Sequence, residues 1–368
     1  VENISKNKNR LYCCEMLWQV LRSASKWGRW LLICLGAILI LNGCENVTEP
    51  SRQQQFEKCL RAAFDDLKSH NVNMRLAAIS RIEALAAQSY GRDAGIKDEL
   101  LAYVRNRQAT IKVPGADLHG NGLKDFASGW KPLPADIQAA LTLLTKPDLL
   151  GKRSQAHSIV LRGTNLSGVY LRKAHLEGAI LSDALLMAAD LAGANFKGAD
   201  LRRAALQDAN LEKACLQRAS LWQVNFSNAM LRRADFRKAK LWAAFFQGAY
   251  LMDANFEAAD MGSVNLSHAN LEQANLRKSD LGRSSLQQTN LQNTDLTSAY
   301  LGRANMRGAF LTDAKLEDTN LIAADLTNAV GLTSKQLCSA LTLYQATFDE
   351  ALEEEVRQKC PHLLRKPK

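Results

Sequence analysis

The chain has 368 residues and a formal net charge of +10. The excess is not spread evenly: six basic residues face two acidic ones through residue 44, while residues 159–331 hold 19 basic and 17 acidic ones. So balanced a central region excludes a dense surface of one sign, whether for holding a polyanion or for imitating one. The eight cysteines include no C-x-x-C pair with zinc spacing.

The chain opens with a basic and then an apolar stretch. Arg22, Lys26 and Arg29 precede Trp30–Leu41, twelve residues without a charge, and no acid falls between Glu15 and Glu45. Twelve is short of the roughly twenty residues of a membrane helix and typical of a signal-peptide core. Counted from Met16, the leader has an ordinary length. The run ends in "LNGC" (41–44), which resembles a bacterial lipoprotein cleavage box with Cys44 as the lipidated residue. Asn42 departs from that pattern, where a small or aliphatic residue is usual. Three outcomes stay open: lipidation at Cys44, an uncleaved single-span anchor at 1–43, or a soluble cytosolic chain. The first is the expectation, and it places the protein in the cell envelope as a periplasmic-side lipoprotein.

After a linker at 44–55, residues 56–153 read as a helical module. Apolar residues recur at helical spacing in 56–69, 73–89, 96–108 and 134–146. Pro134 suits a first helical turn. The pattern R-x-A-A-I-x-x-x-E-x-L-A with "ELLAYVR" and "DIQAALTLL" resembles a HEAT-like segment. The Gly-rich stretch 113–130 reads as a loop. Its G-x-G near Lys124 lacks both a preceding strand and a following GK[ST], so it does not make a phosphate loop.

From Leu161 to Leu326 a large apolar residue recurs every fifth position, 34 times without a gap. Most are Leu; Phe196, Phe226, Phe236, Phe246, Phe256, Met261 and Met306 are the exceptions. Two residues earlier stands Ala, Ser, Thr or Val, Ile159 excepted. A period of five fits neither a helix face nor a strand face, so it describes a coil that closes on itself. "ADL" at 189–191, "ANF" at 194–196, "ADL" at 199–201 and "ANL" at 209–211 resemble the A-(D/N)-L-x-x motif of the pentapeptide-repeat family.

That resemblance implies a mainly β fold: a right-handed quadrilateral β-helix over 154–331, four pentapeptides per coil. An α-helical module lies before it and a helical cap at 332–368 after it. Stacking of about 4.8 Å per coil gives a rod about 40 Å long. Residues 20 apart then stack, so Phe226 lies under Phe246 and Phe236 under Phe256, and Asn255 with Asn275 makes an outward amide ladder step. At the far end Thr333 and Gln336 form a capping box that opens a helix to about Tyr344, and a second helix runs from about Asp349 to Lys359. Cys338 and Cys360 lie in or beside these helices, as a disulfide or as two thiols. Family members often dimerise through a terminal helix, which makes 333–359 a candidate homodimer interface.

Some members of the family imitate DNA and bind gyrase. That role needs dense negative charge, and here only Asp260 and Asp280 make an adjacent acidic step, with Lys240 before them in the same column. Basic residues on the coil faces are interrupted by Glu177, Glu212, Glu257 and Glu272, so nucleic acid is not the expected partner. Six scattered His, no H-x-x-x-H and no G-x-S-x-G give no support to catalysis, and no cofactor is expected. Trp222 and Trp242 hold the same outward position one coil apart, with Arg202 one coil before. Phe245 and Tyr250 take outward slots in the coil beginning at Lys240. Exposed aromatics with Arg are the composition of interface anchors, so these five residues are the candidate partner-binding set, for a protein or an envelope component. The bland alternatives are that the N-terminal helices cover the indoles or that the indoles only stack on each other. The combined expectation is a non-catalytic, membrane-tethered scaffold; the alternative is a cytosolic gyrase-binding DNA mimic. Intact mass and membrane fractionation of the wild type beside Cys44→Ala check the tether. A mature chain beginning at lipidated Cys44, absent from the variant, is expected; an unmodified soluble chain would reject the export reading.

Overall fold

The computed structural model describes residues 49–88, 94–107, 133–146 and 159–367. The leader, Cys44, the start of the 44–55 stretch and the Gly-rich segment lie outside the described residues. The chain divides into two compact units, Val1–Ala62 and Ala63–Lys368. Helix α1, Glu49–Asp66, spans the division and begins inside the segment expected to be linker. No described helix is long and apolar enough to cross a membrane.

In the second unit, α2 (Val72–Gln88) and α3 (Ala94–Arg107) both pack against α4 (Ala135–Leu144). Pro134 sits one residue before the first turn of α4, as its N-cap, because its extended ψ of 137° is not helical. Ile82, Leu100, Val104, Ile137 and Leu141 are fully buried between the three helices. One charge lies among them. The Asp136 side chain is fully buried, and its Oδ2 accepts from Arg75 Nε at 2.7 Å and from the Tyr103 hydroxyl. Arg107 Nε lies 3.4 Å from the same oxygen. Burial alone would raise the Asp136 pKa; the bonds from Tyr103 and Arg75 outweigh it and hold the carboxyl below its ordinary value. Burial and the same bond push the Tyr103 phenol up. Each of the three helices contributes to this cluster, so it fixes how they meet.

From Val160 onward the backbone forms single-residue parallel bridges between positions 20 apart, from Val160↔Ile180 to Phe310↔Val330. Four pentapeptides therefore make one turn of a four-sided coil. The core residue and the small residue two before it point inward, as Leu201, Ala199, Phe236 and Ala234 show at 0% exposure. Each unit closes a β-turn, with Thr164 N–H donating to Leu161 O at 3.3 Å in the first. The second residue after the core position has positive φ in all 34 units, and it is Gly in only seven. That conformation costs an L-residue about 1 kcal/mol. Its N–H is repaid with a bond to the next coil, as from Arg203 to Trp222 O at 2.9 Å.

The frequent Asp or Asn before the core residue has a local reason. Its side-chain oxygen accepts from the backbone N–H two residues on: Asn195 from Lys197 at 3.1 Å, Asn210 from Glu212 at 3.1 Å. Asn255 and Asn275 do the same toward Glu257 and Arg277, each at 3.0 Å. Their oxygens thus serve their own turns, where a coil-to-coil ladder was expected. A ladder bond does join Asn210 to Asp190 at 3.2 Å. Inside, Phe226 stacks on Phe246 with centroids 5.1 Å apart and Phe236 on Phe256 at 4.6 Å. The two stacks meet edge to face at 5.9–6.0 Å.

Both ends of the rod are capped by hydrogen-bond mimicry. The first coil has no coil before it, and the Gln138 side chain of α4 takes its place at Tyr170. Oε1 accepts from the Tyr170 N–H at 2.9 Å while Nε2 donates to its carbonyl at 2.7 Å. Thr145 O accepts from the His175 N–H at 3.0 Å. At the other end the expected helix to Tyr344 is only four residues, α5 (Ser334–Leu337), with the Thr333–Gln336 capping box in place. The coil then resumes: Thr342 bridges Asn320 and Thr347 bridges Asp325, with Leu343 and Phe348 buried as core residues. The inserted helix shifts the phase of the five-residue period, which hides these two units in the sequence. Helix α6 (Glu350–Lys359) and a short 3-10 turn (Pro361–Leu364) follow, and Leu363 O accepts from the Leu343 N–H at 2.8 Å. A disulfide joins Cys338 to Cys360, tying the end of α5 to the end of α6.

Two substitutions test these contacts. Asp136→Ala leaves Arg75 buried without its partner and should cost about 3–5 kcal/mol in denaturant unfolding. Because the folded carboxyl is held below its ordinary value, its contribution is complete above about pH 4 and declines as pH falls through the folded value. Asp136→Ala should therefore flatten the acid limb of the stability profile. Gly331 has φ +75°, and a Cβ there would lie 2.0 Å from Thr312 Oγ1. Gly331→Ala should loosen the C-terminal cap, read as faster amide exchange at Leu321 and Ala323.

Candidate interaction surface

The four sides of the rod carry different outward residues. On the side whose core residues run from Leu161 to Leu321, Trp222 and Trp242 occupy successive coils, each 47% exposed. Their ring centroids are 6.5 Å apart at 62°, edge to face. The indoles touch one another and still face solvent, so the described helices α2, α3 and α4 do not cover them. Next in the same column stand Gly262, Gly282 and Gly302. A Cβ on Gly262 would come 3.1 Å from Trp242 Cδ1, and the missing side chain gives the indole room. Gly282 and Gly302 form a bed for Tyr300. Cβ atoms there would lie 2.7 Å from its Cε1 and 2.3 Å from its hydroxyl oxygen. Tyr300 is 44% exposed, lying along the surface. Sequence reasoning missed Tyr300 and the glycines; the recurrence of Gly at three positions 20 apart was the available signal.

Of the five residues named from the sequence, three lie on this side. Arg202 is there, but its guanidinium is engaged by Asp200 through Nε at 2.8 Å and Nη2 at 2.7 Å. That bond holds the Asp200 carboxyl below its ordinary value. Phe245 belongs to the next side and is half-buried. Tyr250 is exposed but points from the opposite side. Phe245 and Tyr250 share a coil with Trp242 and not a face, because a step of five residues turns the chain through a corner.

Seven of the 17 carboxylates along the rod lie within ion-pair distance of an arginine. Asp183 bonds Arg203 at 2.6 Å, Asp190 lies 3.3 Å from Arg172, Asp235 2.7 Å from Arg237 and Asp295 3.2 Å from Arg277. The Arg203 bond, with Arg162 nearby, holds the Asp183 carboxyl low. Among the described residues Lys240, Asp260 and Asp280, all exposed on the aromatic side, have no such ion pair. A shallow polar recess of about 350 Å³ lies on the next side, lined by His268, Gln287, Gln288, Arg307, Gly308 and Asn328. It contains neither a paired carboxylate nor a nucleophile with a base. Among the described residues no group of three or more His, Cys, Asp or Glu is placed to hold a metal ion.

The family described as pentapeptide repeats matches in eight copies over residues 159–330. No curated protein matches the chain. Among solved structures, HetL, a pentapeptide repeat protein involved in heterocyst differentiation regulation from Nostoc sp. strain PCC 7120, is 30% identical. The match covers 50% of this chain and 86% of HetL, with a TM-score of 0.24. QnrB1, a plasmid-mediated fluoroquinolone resistance protein, is 17% identical over 52% of this chain and 96% of its own, with a TM-score of 0.42. A pentapeptide repeat protein of the Arabidopsis thaliana thylakoid lumen is 26% identical over 33% of this chain and 72% of its own, with a TM-score of 0.15. Through residues 159–330, with their unbroken five-residue period and four-sided coil, the chain belongs to the pentapeptide-repeat family, whose fold is the right-handed quadrilateral β-helix.

Proposed function

We propose that this protein is a non-catalytic scaffold whose rod presents the Trp222–Trp242 side to a protein partner. The observation that carries the reading is the pair of half-exposed indoles in edge contact, set beside a flat glycine floor and an exposed Tyr300. Aromatic side chains bring large contact area at little entropic cost, and they dominate the energetics of interfaces. The rod is a rigid carrier because every coil is bonded to its neighbours through the backbone. The Cys44 tether fits the same role, by holding the rod at a membrane surface through attached acyl chains.

The second reading is a cytosolic DNA mimic. A fluoroquinolone-resistance protein stands among the solved structures that share the repeat. Against that reading, 19 basic residues share the repeat region with 17 acidic ones and seven of those carboxylates are paired with arginines, so the rod does not present the dense, regular negative charge of a duplex. A gyrase supercoiling assay with added protein separates the two, since a DNA mimic inhibits and a scaffold leaves the rate unchanged.

Replacing both indoles tests the proposal directly. Trp222→Ala with Trp242→Ala should keep the unfolding midpoint nearly unchanged, because both side chains are surface residues. It should reduce at least one co-purifying protein about tenfold or more in quantitative affinity purification, as expected for the loss of interface anchors. A folded double variant that retains every partner would sink the reading.

A further inference from the structure

We propose that the aromatic side packs against the same side of a second copy of this chain, with the two rods antiparallel. This rests on reading that side as a contact surface and names the partner.

The outward column after the core residue reads Arg202, Trp222, Trp242, Gly262, Gly282, Gly302, Ile322. It has a step in it. The half with Trp222 and Trp242 is raised by two indoles. The column is low at Gly282 and Gly302, where the Tyr300 ring lies over the two glycines, with Arg283 and Arg303 exposed beside it. A face with one raised and one sunken half complements itself when a copy is turned end over end. A two-fold axis lying between the faces, across the rods at the coil of Met261, sets each coil against the one equally far beyond the axis. Trp242 then stands over the partner's Gly282, and Trp222 over the partner's Gly302. Both indoles reach the exposed face of the partner's Tyr300, where aromatic rings gain about 0.5–1.5 kcal/mol beyond area burial.

The charges agree with that register. The column before the core residue reads Ser220, Lys240, Asp260, Asp280, Tyr300. The same axis keeps this edge against its own copy, so Lys240 faces the partner's Asp280, twice per dimer. Neither has an ion-pair partner among the described residues of its own chain, and the same holds for Asp260, Arg283 and Arg303 on this side. Asp260 lies on the axis and meets its own copy, a like-charge contact that limits the affinity. A heterologous protein would have no reason to match both the step and this charge order. A second copy matches them by symmetry.

The test uses the full chain in mild detergent, with Cys59→Ser and Cys215→Ser to remove the free thiols among the described residues. Sedimentation velocity over a dilution series reads the dimer. The wild type should dimerise. Lys240→Asp and Asp280→Lys should each weaken the dimer by about tenfold or more, and the two together should restore it, as for charge pairs across an interface. Asp260→Asn should tighten it. Ser263→Cys, next to the axis, should oxidise to a disulfide between copies that mass spectrometry locates at position 263 on both chains. Asn293→Cys, on the opposite side, should not. A wild type that stays monomeric overturns the proposal. So does a dimer indifferent to Trp222→Ala with Trp242→Ala, or a double charge swap no better than either single one. A monomer that still loses a different partner on removal of the indoles would leave the scaffold reading standing and refute only the second copy.

Discussion

The rest of the molecule depends on one backbone register: each residue bonds to positions about 20 away, one coil up and one coil down. Four pentapeptides must close each turn so that the ladder stays in line, and a five-residue step does this only if every unit bends through a corner. The corner fixes nearly everything else. It demands a small side chain two before the core residue, because the backbone closes in there. It demands positive φ at the second turn position, even where the residue is Lys, Arg or Ala. It favours Asp or Asn before the core residue, where a short side-chain acceptor can bond the turn N–H two residues on.

The same ladder creates the problem solved at the two ends. A coil with nothing beyond it exposes backbone donors and acceptors, which cost free energy if buried unpaired and invite association if left open. At the first coil the amide of Gln138 presents an acceptor and a donor side by side, as a peptide unit would. At the last coil a four-residue helix replaces one side, two more repeat units complete the others, and a disulfide ties the closing segments together. With both ends sealed, recognition falls to the side faces. Their backbone is already bonded, so only side chains are left to make contacts.

Part of the charge on those side faces is engaged within the chain. Arginine and aspartate pairs run along the rod as cross-coil or same-turn bonds, which explains why a nearly balanced region shows no extended field of one sign. Exposed aromatics remain on two opposite sides, Trp222, Trp242 and Tyr300 on one and Tyr170, Tyr250 and Phe310 on the other, and only on the first do two indoles touch. The glycines in that column let aromatic rings lie against the backbone, so the surface is stepped where side chains stand up on one half and are missing on the other.

Much of the fold was legible in the sequence because it is periodic. The 34 units and the Thr333–Gln336 cap follow from spacing, and the stacked Phe226–Phe246 and Phe236–Phe256 pairs follow from the four-unit coil that the resemblance to pentapeptide repeats implies. What the sequence could not decide was whatever depends on direction or on contacts outside the period. That Phe245 and Tyr250 face away from the indoles follows from the corner angle, not from their nearness in sequence. The two late units at Leu343 and Phe348 were hidden because a helix shifts their phase. The bonding of Asp136 with Arg75 and Tyr103 joins residues from three helices, which no local pattern announces. The sequence by itself determined the repeat, its inward residues and the outward placement of the two indoles, because those follow from a local step repeated without error. Only the tertiary structure decided which outward residues share a face, how the ends are closed and where the glycines lower the surface. Those features arise between coils and helices brought together by closure of the chain.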